Sequence, residues 1–249
     1  MTSMKNIPSL ITVRSTSTRL PGKCFLPFGE VSVLEHVVLR AKYYELFPII
    51  CTTRDPEDDQ IIDLAERLGV PYYRGPTKNK LLRWSECCEH FGLRAFHSVD
   101  ADDPFFDGDE VIRSMRLLED GCYDMVSPTT SSSAGGASMG YSLTAEIVKQ
   151  ASQGTRIEDD TEMMWYHIEK IPYLKTQVLP ENQSLTLKLR LTLDYEEDYW
   201  LLESVRRILG NLASRDAINK LFLANPDLYK INWFRNEAWK AGQLSKKIK

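Results

Sequence analysis

LITVRSTSTRLPGK, from Leu10 to Lys23, is the stretch whose reading decides the rest. Leu10 to Val13 is a short apolar β-former, and the residues after it cannot continue as a strand: the hydroxyl run Ser15 to Thr18, Arg19, the Pro21-Gly22 turn and Lys23. Arg14, Arg19 and Lys23 place three cations on one compact loop, with hydroxyls and backbone N–H groups between them. A strand that empties into such a loop has the chemistry of a polyphosphate cradle. Arg offers a planar fork of donors, Lys a mobile point charge, and the backbone further N–H groups. It is not a P-loop, because the required Gly is missing upstream and Cys24 stands where Ser or Thr belongs. A basic, solvated loop after an ordinary first strand would carry the same residues.

Working outward, 249 residues suffice for a sizeable core. A net charge of -4 argues against broad nucleic-acid binding but leaves room for a local basic pocket. The N-terminus MTSMKNIPS is too short and polar for a signal peptide, and no apolar run reaches membrane-spanning length. Five scattered cysteines without a C-x-x-C pair read as free thiols of a reducing compartment, so a cytoplasmic location is expected. Four histidines, none in H-E-x-x-H, leave little for a zinc site.

Strand and helix patterns then alternate. Helices are expected at Val31 to Tyr44 (Ser32 as N-cap, with Glu35 three residues on), Pro56 to Leu68, Lys80 to Phe91 and Asp109 to Glu119. Strands are expected at Pro48 to Thr53, Val70 to Tyr73, Leu93 to Val99 and Tyr123 to Val126. Most of these strands lack a polar face, which points to a three-layer α/β/α sandwich around a mostly parallel mixed sheet. Ser127 to Gly140 reads as a long loop of small residues, and Thr144 to Gln153 and Thr161 to Ile171 as helices. TLKLRLTL, Thr186 to Leu193, is the cleanest alternating strand, followed by helices at Tyr199 to Leu209 and Arg215 to Ala224. Trp233, Phe234 and Trp239 are expected to pack back on the core. One domain over 1–249 is expected, with an acceptor-binding or dimerisation subregion at 127–190.

In an open parallel sheet, residues beyond the carboxyl ends of the strands line one crevice. Asp102 follows the fourth strand of this reading and Asp194 the strand of Thr186 to Leu193, so both face the Arg14–Lys23 loop if the strands run parallel. A magnesium ion between carboxylates and phosphate oxygens would join the two halves. Both aspartates also fit as turn or helix-cap residues.

These residues carry a resemblance. Arg14 with Ser17-Thr18-Arg19-Leu20-Pro21-Gly22-Lys23 resembles the signature of the cytidylyltransferases that activate sugar acids, closest to the spore-coat-polysaccharide branch and its acylneuraminate and deoxyoctulosonate relatives. The likeness runs on through Thr52-Thr53, Arg74-Gly75, Asp102-Asp103-Pro104 with Asp107, and Leu191-Thr192-Leu193-Asp194. It implies a Mg-dependent enzyme that transfers CMP from CTP to an acceptor and releases pyrophosphate. Triphosphate contacts then fall on Arg14, Arg19 and Lys23, within a CTP-binding set of Arg14, Ser17, Thr18, Arg19, Gly22, Lys23, Thr53 and Arg74, with Arg19 and Lys23 catalytic, and the metal on Asp102 and Asp194. Val13, Ala101 and Glu162-Met163-Met164-Trp165 depart from the family pattern, the last where a Glu-His-Val motif is usual. Those departures bear on the acceptor, read here as a sugar acid or a phosphate- or phosphonate-bearing metabolite. It is expected between the Ser127–Gly140 loop and the Arg156–His167 segment, with Arg156, His167 and Arg190 as candidate contacts. Surface or structural duty accounts for each of those three as well. A two-fold dimer is expected from the apolar run Met163 to Tyr166. A transferase using another NTP, a glycosyltransferase reading Asp100-Ala101-Asp102 as D-x-D, and a non-catalytic nucleotide-binding module are the alternatives.

Overall fold

The computed structural model describes residues 6–133, 140–181, 187–239 and 241. In chain order the elements are β1 (Pro8–Thr12), β2 (Pro27–Phe28), β3 (Val31–Ser32), α1 (Val33–Tyr43), β4 (Phe47–Thr53), α2 (Asp59–Leu68), β5 (Tyr72–Gly75), α3 (Lys80–Phe91) and β6 (Ala95–Asp100). They continue with α4 (Gly108–Asp120), β7 (Met125–Ser127), β8 (Ser142–Thr144), α5 (Ala145–Gln153), α6 (Trp165–Ile168), β9 (Thr176–Val178), α7 (Glu196–Leu209) and α8 (Arg215–Ala224). Among the described residues seven strands form one sheet in the order β5-β4-β1-β6-β8-β7-β9, parallel except for β8, which runs antiparallel to both neighbours. β2 and β3 form a separate antiparallel hairpin.

Both faces of the sheet are buried, which explains the missing polar faces. Ile11, Ile50 and Val99 pack on one side against α1, α2 and α4, through residues such as Val37, Leu64 and Met115. Their chain neighbours Leu10 and Ile49, with Phe96, pack on the other against α3 and α5, through Leu81, Trp84 and Ile147. A third cluster joins Phe28, Phe105, Leu189, Leu191 and Leu193 to α7 and α8. The central sheet flanked by helices is the architecture expected from the sequence.

Local signals place most boundaries. Ser32 caps α1 by accepting the Glu35 N–H at 3.2 Å. α2 stops at Gly69, whose φ of 59° favours a residue without a Cβ. β5 sits two residues later than expected because Pro71 cannot donate to the ladder; only its carbonyl pairs, with Ile50 N.

Three expectations fail. Residues 187–193 form no strand, and residue 186 lies outside the described residues. The alternation there is real, but it buries three leucines under α7 and α8 without a partner strand. Helix Thr161–Ile171 shrinks to α6, because Thr161 is spent on α3: its Oγ1 accepts Leu81 N and donates to Asn79 Oδ1. Phe234 does not pack back, being 55% exposed. Among the described residues no helix is long and apolar enough to cross a membrane.

Candidate functional site

β1 and β6 are parallel neighbours, with Thr12 opposite Asp100. Their carboxyl ends therefore deliver the loop 13–22 and the turn 101–104 to the same edge of the sheet, where a cleft of about 480 Å³ opens. The loop is held from beneath by Asp58, which accepts from Ser15 N and Ser15 Oγ at 2.7 Å and from Thr52 Oγ1 at 3.2 Å. Gly22 turns the chain at φ 65° with open space around it, so its role is conformational. The N–H groups of Ser15, Ser17, Leu20, Gly22 and Lys23 are used in holding the loop; among the described residues those of Arg14, Thr16, Thr18 and Arg19 have no partner.

Lys23 stands at the centre. Its Nζ donates to Asp102 Oδ2, to the Leu193 carbonyl at 2.7 Å and to Asp194 Oδ1 at 3.1 Å. Arg19 donates to the same Asp194 oxygen at 2.6 Å, its guanidinium 5.5 Å from the Tyr195 ring centroid. Behind Asp194 lies Arg190, buried, donating to Asp194 Oδ2 at 3.3 Å, to both Asp198 oxygens at 2.8 and 3.0 Å, and to Asn236 Oδ1. Asp198 also accepts the backbone N–H groups of Asp194 and Tyr195 at 3.0 Å. The start of α7 is thus capped by Asp198, and Asp107 caps α4, so neither Asp194 nor Asp102 serves as a cap.

Charge follows from this packing. Burial alone would lower the Lys23 ammonium, but Asp102 and Asp194 outweigh it and hold the cation charged. Burial likewise would raise Asp194, yet Lys23, Arg19 and Arg190 keep it below the usual carboxylate range. Asp102 goes the other way: burial raises it, Asp194 and Asp100 add to the rise, and Lys23 offsets only part. Asp100, Asp102 and Asp103 bring carboxylate oxygens within 4.8 Å of one another, a hard oxygen donor set that suits a divalent cation.

Arg14, Ser17, Thr18, Arg19, Lys23, Asp102, Arg190 and Asp194, all singled out from the sequence, line this cleft. Others do not. Thr53 is buried and binds Asp58, while Arg74 donates to the carbonyls of Thr53 and Asp55 and pairs with Asp59 at 2.8 Å. Both brace the loop's foundations, and neither lines the cleft. Arg156 is a surface residue, its side chain 85% exposed and paired with Asp159, and His167 lines a separate shallow depression beside α5. Arg190 reaches the cleft only from below, its donors engaged by Asp194, Asp198 and Asn236. Nor does the run Met163 to Tyr166 present an apolar surface: Met164 is in the core, and Trp165 lies 6.3 Å from Tyr141 inside the cleft. Residues 134–139 of the loop expected to bind the acceptor lie outside the described residues.

The sequence reading missed Asp58, Lys80, Tyr141 and the cleft-facing role of Trp239. Lys80 had a signal: it shares a helix face with Trp84, four residues on, among apolar neighbours.

No protein-family model matches the chain. It is 26% identical over 234 residues to an uncharacterized protein of Methanocaldococcus jannaschii, covering 91% of this chain and 94% of that one. It is also 26% identical over 240 residues to the spore coat polysaccharide biosynthesis protein SpsF of Bacillus subtilis, covering 90% and 97%. Among solved structures, a cytidylyltransferase from Leptospira borgpetersenii superposes with a TM-score of 0.78 at 22% identity, over 90% of this chain and 97% of that one. A CMP:2-keto-3-deoxy-manno-octonic acid synthetase complexed with CTP gives 0.60 at 14% identity, over 84% and 100%. The chain has a cytidylyltransferase-like fold, shared with the CMP:2-keto-3-deoxy-manno-octonic acid synthetase, and a sequence similar to SpsF over nearly its whole length.

Proposed function

We propose that the protein is a cytidylyltransferase that moves CMP from CTP to a small anionic acceptor and releases pyrophosphate. The observation that carries this reading is Lys23, which holds Asp102 and Asp194 together beneath a loop with, among the described residues, four unpartnered N–H groups. Similarity to SpsF over nearly the whole chain and to a CTP-bound synthetase supports cytidine as the base and polysaccharide precursors as the setting.

Acceptor attack on the α-phosphorus, in line with departing pyrophosphate, requires placement and charge neutralisation more than a protein nucleophile. The N–H groups of Thr16, Thr18 and Arg19 and the Ser17 and Thr18 hydroxyls would wrap the triphosphate. Arg14 and Arg19 would add donors at its edge, and Lys23 would meet the charge that builds on the leaving pyrophosphate. Magnesium would be held by Asp102, with Asp100 and Asp194 the neighbouring carboxylates, and would supply charge neutralisation at the phosphate oxygens. An anionic acceptor oxygen needs no general base, and among the described residues no histidine lines the cleft.

Assembly as a homodimer belongs to the same proposal. Its support is the outer edge of β9, where Val178 is half exposed, together with the exposed Tyr173 three residues before the strand. Calorimetric titration with CTP, UTP, GTP and ATP, each with magnesium, tests the nucleotide assignment. CTP should bind at least about tenfold more tightly than the others; equal affinities would remove the cytidine reading.

A further inference from the structure

Past the carboxylates the cleft ends in a wall that none of these roles uses. Lys80 opens α3 and points into it, only 6% exposed. Its Nζ donates to Asp100 Oδ1 at 3.2 Å and lies 4.8 Å from the centroid of the Trp84 ring. Glu162 Oε1 is 4.0 Å away, beyond a hydrogen bond. An ammonium has three donors, and here one is used on an acceptor while one face rests on an aromatic ring. The Trp84 indole is itself fixed by donating Nε1–H to Thr12 Oγ1 at 2.9 Å.

The surroundings shape a pocket. Tyr141 and Trp165 form an aromatic side, their rings inclined by 30°. Ser98 lines the floor, and Gly140 passes so close that a Cβ there would fall 1.6 Å from the Ser98 carbonyl oxygen. Asp100 and Glu162 are the anions that compete for Lys80. Arg14, 3.9 Å from Glu162 Oε2, offers that carboxylate a second partner.

We propose that Lys80 binds an oxyanion of the acceptor, a carboxylate or a phosphonate, distinct from the oxygen that attacks. Calling the ligand an acceptor rests on the cytidylyltransferase reading; the anion site itself does not need nucleotide. Through Asp100 the ammonium adjoins the cluster that contains Asp102, so one small molecule spans from Lys80 to the reacting end of the cleft. The acceptor would therefore be a bifunctional acid with a flat or apolar face for Tyr141 and Trp165.

The test uses the full chain with 15N-labelled tryptophan, following the Trp84 indole signal during titration with pyruvate and with methylphosphonate, without nucleotide. The wild type should bind at least one of the two, and the tighter of them names the oxyanion. Lys80→Gln should weaken that binding about tenfold or more, as loss of a charged hydrogen bond does, and Lys80→Arg should keep most of it. Glu162→Gln should tighten it about threefold by removing the competing charge, a gain that structural damage does not produce. Equal affinity in wild type and Lys80→Gln, binding of neither anion to the wild type, or weaker binding in Glu162→Gln would each overturn the proposal. Loss of CTP binding in calorimetry would strike the parent reading alone, because the anion titration contains no nucleotide.

Discussion

At the scale of single residues, Lys23 does two jobs that one substitution separates. It neutralises two facing carboxylates in the resting protein, and in the proposed reaction it meets the departing pyrophosphate. Lys23→Ala should cost about a hundredfold or more in kcat/KM for CTP, the loss seen when a transition-state charge partner is removed. It should also lower the melting temperature in EDTA and regain part of it with millimolar magnesium, because a cation again separates Asp102 from Asp194. Wild-type kcat/KM in this variant would take the loop out of the site. Arg190 predicts a different pattern. It is buried with Asp198 and Asp194, so Arg190→Met leaves two buried carboxylates short of a partner. The expected loss is about 3–5 kcal/mol of stability by denaturant unfolding, since breaking one side of a buried pair strands the other. A loss under about 1 kcal/mol would contradict the network.

Two buried histidines add a pH signature. Burial lowers His97 from 6.5 to about 3 and His36 from 6.5 to about 4. Below about pH 6.5 the unfolded chain takes up protons at both positions and the folded chain does not, so stability falls as pH drops from 6.5 towards 4. Each contributes a slope of about 1.4 kcal/mol per pH unit in that window. Urea midpoints at pH 6.5 and 4.5 should show this loss, and His97→Asn should reduce the slope by about half. An unchanged slope in His97→Asn would contradict it.

At the scale of elements, what could be read from the sequence depended on whether a pattern was local. α1 and α3 were legible because cap, apolar stripe and stop all lie within a dozen residues, as with Ser32 and Glu35 in α1. The carboxyl ends of β1 and β6 were legible because apolar runs empty into polar turns. Residues 187–193 misled because period-two alternation reports only that every second side chain is buried; whether a partner strand exists is decided elsewhere in the chain. Here the leucines face α7 and α8, and the segment's backbone meets the crevice through Leu193 N, which donates to the Asp102 carbonyl at 2.7 Å. That bond ties Asp194 to Asp102, so the expected position of Asp194 survives the loss of its strand. β8 was missed because three residues, Ser142 to Thr144, give no period, and Thr144 already serves α5 by accepting Ile147 N. The candidate site was legible in its cationic loop and its aspartates, which follow one another in motif order. Arg156 and His167 were misplaced because charge type alone does not say which way a surface segment faces. Asp58 was hidden because its loop partner Ser15 lies 43 positions away along the chain, and the local signal of Lys80 beside Trp84 could not reveal Asp100, 20 positions on.

At the scale of the whole molecule, the sheet edge gathers cations and carboxylates from β1, β6 and the segment before α7, three regions far apart in sequence. Such an arrangement costs stability when it serves nothing, because each buried charge needs a partner. Its shape suits the proposed reaction, which carries much negative charge and one departing anion. Sedimentation equilibrium at micromolar concentration should return twice the chain mass of 28.6 kDa; a monomer would remove the dimer from the proposal. The most direct test of the central claim is pyrophosphate release with CTP and magnesium across a panel of anionic acceptors: nonulosonic acids, deoxyoctulosonic acid, phosphorylated amino acids and simple phosphonates. Mass spectrometry of the products accompanies it. Pyrophosphate should appear in equal amount to a CMP adduct of at least one acceptor, with release lost in Lys23→Ala. Absence of any CMP adduct across the panel, or adducts formed as readily from UTP, GTP or ATP, would contradict it.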